Sequence, residues 1–306
     1  MEPAITKCGL CPRECGADRT RGLGRCGGGA KPRLARAALH RWEEPCLSGS
    51  DPARGSGAVF FSGCPLGCRF CQNYQISAGN RGREVSTRRL ARIFLELQEA
   101  GAWNLNLVTA SQYAPWVVRA LDLVKGRLSI PVVWNSGGYE KPETLRLLEG
   151  YVDIWLPDLK FYDPALGETC AGAPDYFRYA SAAILEMYRQ SGPLEWGEDG
   201  MLRRGLIVRH LVLPGSRKDS EKLLRWLAGA LPVESFLLSL MSQYTPYRKT
   251  GVKALDRRVA TFEYNWVRDL ARELGFSGYG QERTSAREEY TPPFDGMGVE
   301  GEELEG

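Results

Sequence analysis

Ala58-Val59-Phe60-Phe61-Ser62-Gly63-Cys64-Pro65-Leu66-Gly67-Cys68-Arg69-Phe70-Cys71 is the stretch that decides the fold of this 306-residue chain. Its first part reads as a buried strand. Its second part places three cysteines, spaced C-x3-C-x2-C, on the loop that leaves the strand. A loop this short brings three thiolates to one inorganic centre and has no fourth to offer. An iron–sulfur cube held by three cysteines keeps one iron free to bind something else.

Beyond that strand the chain alternates. Short apolar or β-branched runs occur at 58–61, 105–109, 130–134, 152–156, 206–213 and 236–241. Helical period fills the gaps. Leu90, Ile93, Phe94 and Leu97 repeat at i, i+3, i+4, i+7, with Gly101 as a stop. Tyr113 to Val124 repeats the pattern, and Pro142 suits the first turn of a third helix. Phe177 to Tyr188 forms a fourth, Leu223 to Leu227 marks a fifth, and Leu255 to Leu270 a sixth. Six strands alternating with six helices predict an α/β fold with parallel strands and right-handed crossovers. The count fits a partial (β/α)6 TIM-like barrel, with a flat doubly wound sheet as the alternative.

In such folds chemistry gathers at the carboxyl ends of the strands. Those ends carry the cysteine loop, Thr109-Ala110-Ser111-Gln112, Asn135-Ser136-Gly137-Gly138, Asp158-Leu159-Lys160, Arg209-His210 and Met241-Ser242-Gln243-Tyr244. Arg and Lys suit a carboxylate and Asp suits an ammonium or hydroxyl, so the set predicts a zwitterionic ligand beside a metal cluster. Each member also has a bland reading. Asp158 and Lys160 form a surface pair in many proteins, His210 is satisfied in the core, and Ser111 and Ser242 cap turns. Their shared placement carries the inference.

Ahead of the barrel, Cys8, Cys11, Cys15 and Cys26 are spaced C-x2-C-x3-C-x10-C among glycines. Four close thiols predict a second, structural site, either zinc or another iron–sulfur cluster. Met1 to Trp42 holds nine Lys or Arg against three Asp or Glu, which offsets thiolate charge. Without interleaved aromatics, that charge does not predict nucleic-acid stacking. The organisation expected is a Cys-rich segment over 1–45, a barrel over 46–275 and an irregular tail over 276–306. Glu43 to Gly57 reads as a linker and Cys46 as an idle buried thiol. The tail either covers the barrel mouth or hangs free, with Glu300 to Gly306 disordered.

The composition, 43% hydrophobic and 25% charged with net charge +3, is that of an ordinary folded protein and excludes a strongly basic nucleic-acid binder. No apolar run approaches the ~20 residues of a membrane span. Nine cysteines without a signal peptide at the N-terminus predict a reducing, cytoplasmic setting.

With its aromatic Phe70, the cysteine motif resembles the signature of the radical S-adenosylmethionine superfamily. Asn135-Ser136-Gly137-Gly138-Tyr139, Asp158-Leu159-Lys160 and Val208 to Gly215 are similar to the branch containing the pyruvate formate-lyase activating enzyme. Cys71-Gln72-Asn73-Tyr74 and Met241-Ser242-Gln243-Tyr244 resemble an activating-enzyme-related subgroup of iron–sulfur proteins. The resemblance implies a 4Fe–4S cluster on Cys64, Cys68 and Cys71, whose fourth iron binds S-adenosylmethionine. One electron then cleaves the sulfonium to methionine and a 5′-deoxyadenosyl radical, which takes hydrogen from a substrate. That substrate is a glycine of a partner protein or a small molecule, and the electron comes from a donor such as flavodoxin or ferredoxin.

By motif matching, Phe70, Asp158 and Lys160 position the cofactor, Arg209 lies near its carboxylate and Asn135 near its ribose or amino group. Relatives place Gly-Gly-Glu after the second strand, where this chain has Thr109-Ala110-Ser111. The resemblance therefore leaves Ser111 or Gln112 to hold the amino group. A non-catalytic zinc scaffold and an electron-transfer protein are the competing classes, and both need a fourth ligand that the loop lacks.

Overall fold

The computed structural model describes residues 2–246, 249–280 and 291–305. Its strands are β1 (Arg33–His40), β2 (Gly55–Phe61), β3 (Arg83–Glu84), β4 (Ala102–Val108), β5 (Val132–Ser136), β6 (Ile154–Pro157), β7 (Glu195–Trp196), β8 (Leu202–Leu211), β9 (Leu237–Met241) and β10 (Gly278–Gly280). The helices are α1 (Pro45–Ser48), α2 (Tyr74–Ser77), α3 (Thr87–Glu99), α4 (Ala114–Leu123), α5 (Pro142–Arg146), α6 (Pro164–Ala171), α7 (Tyr176–Ser191), α8 (Arg217–Ala230) and α9 (Thr261–Glu273).

The sheet runs β10-β9-β8-β6-β5-β4-β2-β1-β3, with β7 on β8. From β2 to β10 neighbouring strands on this path are parallel and follow chain order. A doubly wound sheet reverses its strand order so that helices cover both faces. Across the parallel strands from β2 to β10 the order does not reverse, so the crossovers share one face and the other curls inward. The fold is the expected partial (β/α)6 barrel, extended at its ends by β1, β3 and β10.

Alternation along the strands sorts the two faces. Leu105, Leu107, Trp134, Trp155, Leu206 and Val208 point to the helices and join the main core with Leu90, Phe94, Trp116 and Ile184. Val133, Ile154, Leu156, Ile207 and Leu237 point inward, where they pack on Cys46 and Leu47. The stretch expected as a linker therefore plugs the barrel. Leu47 is fully buried, a burial worth about 1.5–3 kcal/mol. Its carbonyl accepts from Asn104 Nδ2 at 2.8 Å.

Other departures are local. β1 escaped notice because Arg33-Leu34-Ala35-Arg36-Ala37-Ala38 is poor in β-branched residues, yet six of its positions pair with β2. α6 was hidden by its short Pro-led sequence. Leu255 and Val259 precede α9, although both are buried as a helical face would require.

The end of the chain is held down as far as it is described. Arg89, buried on α3, pairs with both carboxylate oxygens of Glu96 and donates to the carbonyls of Gly298, Val299, Glu300 and Glu302. Val299 and Leu304 are buried, so the disorder expected from Glu300 is corrected for 300–305. The part of the tail over 281–290 lies outside the described residues.

Candidate active site

β2 delivers the cysteine loop at the barrel mouth. The loop is braced from beneath by the N-terminal segment. Arg13 donates to the carbonyls of Pro65 (2.9 Å) and Leu66 (3.1 Å), and also to those of Ala171 and Gly172. The Cys64 N–H donates to the Cys26 carbonyl at 3.1 Å. Gln112 Nε2 donates to the carbonyls of Ser62, Gly63 and Thr109. Gln112 is thus consumed in fixing the loop and does not face a ligand.

Cys64, Cys68 and Cys71 line a cavity of about 610 Å³ whose wall also includes Phe70, Asn135, Asp158, Lys160 and Arg209. The barrel therefore brings eight of the expected site residues to one space. Burial pushes the Cys64 thiol up to about 11 and the Cys68 thiol higher still, so both are neutral until a metal displaces their protons. Ser77 Oγ lies 3.2 Å from Cys71 Sγ, and the Leu66 N–H points at Cys64 Sγ from 3.4 Å.

Behind the cysteines runs a charged chain. Lys160 Nζ is 2.5 Å from Asp158 Oδ2, and Arg209 Nε is 3.1 Å from Asp158 Oδ1. Arg209 Nη2 donates to Asn135 Oδ1 at 2.5 Å. Burial pushes the Asp158 carboxyl up, but Lys160 and Arg209 outweigh it and hold the group below its ordinary range. The Tyr176 hydroxyl lies 2.8 Å from the Asp158 carbonyl and accepts from the Lys160 N–H at 3.0 Å, locking that loop.

Ser111 is corrected. It is buried outside the cavity wall, and its hydroxyl donates to Glu140 Oε1 at 2.6 Å. Glu140 also accepts from Trp134 Nε1 and Ser136 Oγ, and burial pushes its carboxyl up. His210 faces the helices between Leu159 O and Ser220 Oγ, as a core histidine does.

Two residues that sequence reasoning missed enter from the plug. Glu43 Oε1 accepts from Asn106 Nδ2 (3.0 Å) and Asn135 Nδ2 (3.4 Å), and Oε2 is 3.5 Å from Arg209 Nη1. Glu44 lines the same cavity. Nothing in a Gly- and Pro-rich connection signals that its acids fill a barrel. Thr109 stands on the wall at φ +59, the left-handed region that a β-branched residue avoids.

The N-terminal thiols also gather. A Cβ on Gly24 would lie 3.5 Å from Cys26 Sγ and 3.6 Å from Cys15 Sγ. Burial pushes Cys11 up to about 11, with further upward pressure from Cys26, Cys8 and Cys15. The Gly28 N–H points at Cys26 Sγ from 3.4 Å. Among the described residues no three His, Cys, Asp or Glu are grouped so as to hold one metal ion. A cube spreads its thiolates over separate irons, so the cavity cysteines fit a cluster without converging on a point.

Comparison with known proteins agrees with this fold. Residues 58–227 match the family model described as the Radical SAM superfamily. The uncharacterized protein MJ0674 of Methanocaldococcus jannaschii is 27% identical over 246 residues, 77% of this chain. The match covers 65% of that relative, less than two thirds of its length. The fold resembles that of a radical SAM methyltransferase from Sphaerobacter thermophilus, with TM-score 0.51 and 14% identity over 76% of this chain and 67% of that one. Streptococcus suis SuiB bound to precursor peptide SuiA is also similar, at TM-score 0.48 and 14% identity over 73% of this chain and 48% of that one. No helix among the described residues is long and apolar enough to cross a membrane.

Proposed function

Because the chain belongs to the radical SAM superfamily, we propose that it generates a carbon radical from S-adenosylmethionine and uses it to take hydrogen from a glycine of a partner protein. The observation that carries the reading is the three-cysteine loop opening on a cavity lined by Asp158, Lys160, Arg209 and Asn135. When bound, a reduced 4Fe–4S cluster with S-adenosylmethionine supplies the electron and the cleavable sulfonium.

The chain's residues hold and orient. Cys64, Cys68 and Cys71 would hold the cluster as thiolates. Lys160 lies beside Cys68 and Asp158, where its charge offsets thiolate. Arg209 is kept in place by Asp158 and Asn135, ready for a carboxylate. Phe70 packs on Phe161 and Tyr244, an apolar rim that keeps water from the cleaved bond.

A small-molecule substrate is the second reading. Glu43 and Glu44 favour it, since a glycine backbone has no use for two carboxylates. The same proposal places the protein in the cytoplasm with a flavodoxin or ferredoxin as donor. It also places zinc or a second cluster on Cys8, Cys11, Cys15 and Cys26. Reconstituted and reduced without oxygen, the protein is expected to release methionine and 5′-deoxyadenosine from S-adenosylmethionine. An intact cluster that releases neither would refute the reading. Replacing Cys71 by Ala should abolish release, whereas Cys8→Ser should lower metal content and melting temperature; unchanged values would exclude the N-terminal site.

A further inference from the structure

Glu43 and Glu44 stand on the wall of the same cavity, inside the barrel. Glu43 bridges two layers of inward-facing side chains, that of Asn106 and that of Asn135. Glu44 is 8% exposed and lines the same cavity. Its Oε2 has no hydrogen-bond partner among the described residues. A buried acceptor without a donor is costly, and a carboxylate more so.

Charge counting sharpens the point. The cavity wall carries three carboxylates, Glu43, Glu44 and Asp158, against Lys160 and Arg209. Asp158 already engages both cations at 2.5 and 3.1 Å. Arg209 reaches Glu43 only at 3.5 Å. Glu43 therefore has only the weaker side of one guanidinium, and Glu44 keeps one oxygen with no hydrogen-bond partner among the described residues. Two such groups in one buried site favour either a shared proton or an added cation.

We infer that the Glu43–Glu44 pair recognises a cationic nitrogen group, an ammonium or guanidinium, that enters the cavity. The group is an amine or guanidine of the substrate, because the amino group of S-adenosylmethionine is expected on the cluster's open iron, where it carries no ammonium charge. The inference rests on the proposed function for the presence of a substrate in this cavity. Glu140, another buried carboxyl near the site, is by contrast saturated by Ser111, Trp134 and Ser136.

Calorimetric titration of the cluster-loaded full chain tests the pair. Wild type, Glu43→Gln, Glu44→Gln and the double variant are titrated with S-adenosylmethionine. Each is then titrated with putrescine and with agmatine, both with and without S-adenosylmethionine. Gln keeps the side-chain size and removes the charge. If S-adenosylmethionine binds at least tenfold more weakly to Glu44→Gln while amine binding is unchanged, the acids serve the cofactor and the inference is overturned. If a substrate amine is the occupant, S-adenosylmethionine affinity changes less than twofold, while putrescine or agmatine binds wild type at least tenfold more tightly than the double variant. Equal affinities for S-adenosylmethionine and both amines across all four proteins overturn the inference. Iron content and melting temperature identify any variant that misfolds, and the other single variant then carries the comparison. Absence of S-adenosylmethionine binding to wild type would sink the proposed function alone, because the amine titrations without it still test the pair.

Discussion

The backbone N–H of Cys64 donates to the carbonyl of Cys26 at 3.1 Å, tying the first cysteine of the cavity loop to the last cysteine of the N-terminal group. The two cysteine-rich segments are thus one mechanical unit. Arg13 strengthens the link with four carbonyl contacts, and Arg19, fully buried, joins Gly29 to Gln112 in the same way.

Gly63 sits at the joint. It has φ +83, and a Cβ there would meet the Cys26 carbonyl at 2.3 Å. Gly63→Ala must move one segment off the other, at a cost of about 2–4 kcal/mol. The expected outcome is a lower melting temperature with iron uptake reduced several-fold, read by iron content after reconstitution.

Asp158 is the hinge of the charged chain. Asp158→Asn leaves Lys160 and Arg209 buried with weakened partners, and breaking such a pair from one side costs about 3–5 kcal/mol. Denaturant unfolding should show the loss, and S-adenosylmethionine affinity should fall with it. Arg209→Lys should share the affinity defect, because an ammonium cannot hold Asp158 and Asn135 together.

Acid stability has an identifiable contributor in Glu263. Its two oxygens take both terminal nitrogens of Arg257 and the N–H groups of Gly215 and Ala260. The Arg257 hydrogen bonds come first in holding its pKa down to about 2, from an ordinary 4.5. A depressed carboxylate contributes stability that is complete above its unfolded pKa and is lost as pH falls through the folded one. Wild type should therefore lose this contribution between pH 4.5 and about 2, and Glu263→Gln should show a flatter stability profile across that window. At neutral pH the variant should be less stable by about 2 kcal/mol.

Arg89 is the anchor of the chain's last described segment. Arg89→Ala removes four carbonyl contacts and the Glu96 pair together. Residues 298–304 should then become sensitive to limited proteolysis, while secondary structure by circular dichroism stays near wild type. Equal cleavage rates in the two proteins would show that burial of Val299 and Leu304 suffices by itself.

The barrel strands were legible because a strand covered by helices outside and packed inside is a continuous apolar run, and five of six runs were located within three residues at their starts. The roles of Ser111 and Gln112 were not. Both stand at a strand end, but a 3-10 turn over Ser111–Tyr113 points Ser111 toward Glu140 and Gln112 toward the cysteine loop, and one-dimensional position does not encode that rotation.

Local spacing settled the cluster motif, since three thiols within eight residues lie on one short loop whatever surrounds them. It also settled the parallel barrel, through the rhythm of apolar runs and turns. Only the tertiary structure decided what faces that centre. Glu43 and Glu44 precede Cys64 by about twenty residues and lie outside the βα rhythm. They reach the cavity because Cys46 and Leu47 bury in the barrel's apolar floor and carry the acids in with them. Hydrophobic burial of the plug, a nonlocal force with no periodic signature, placed the charge.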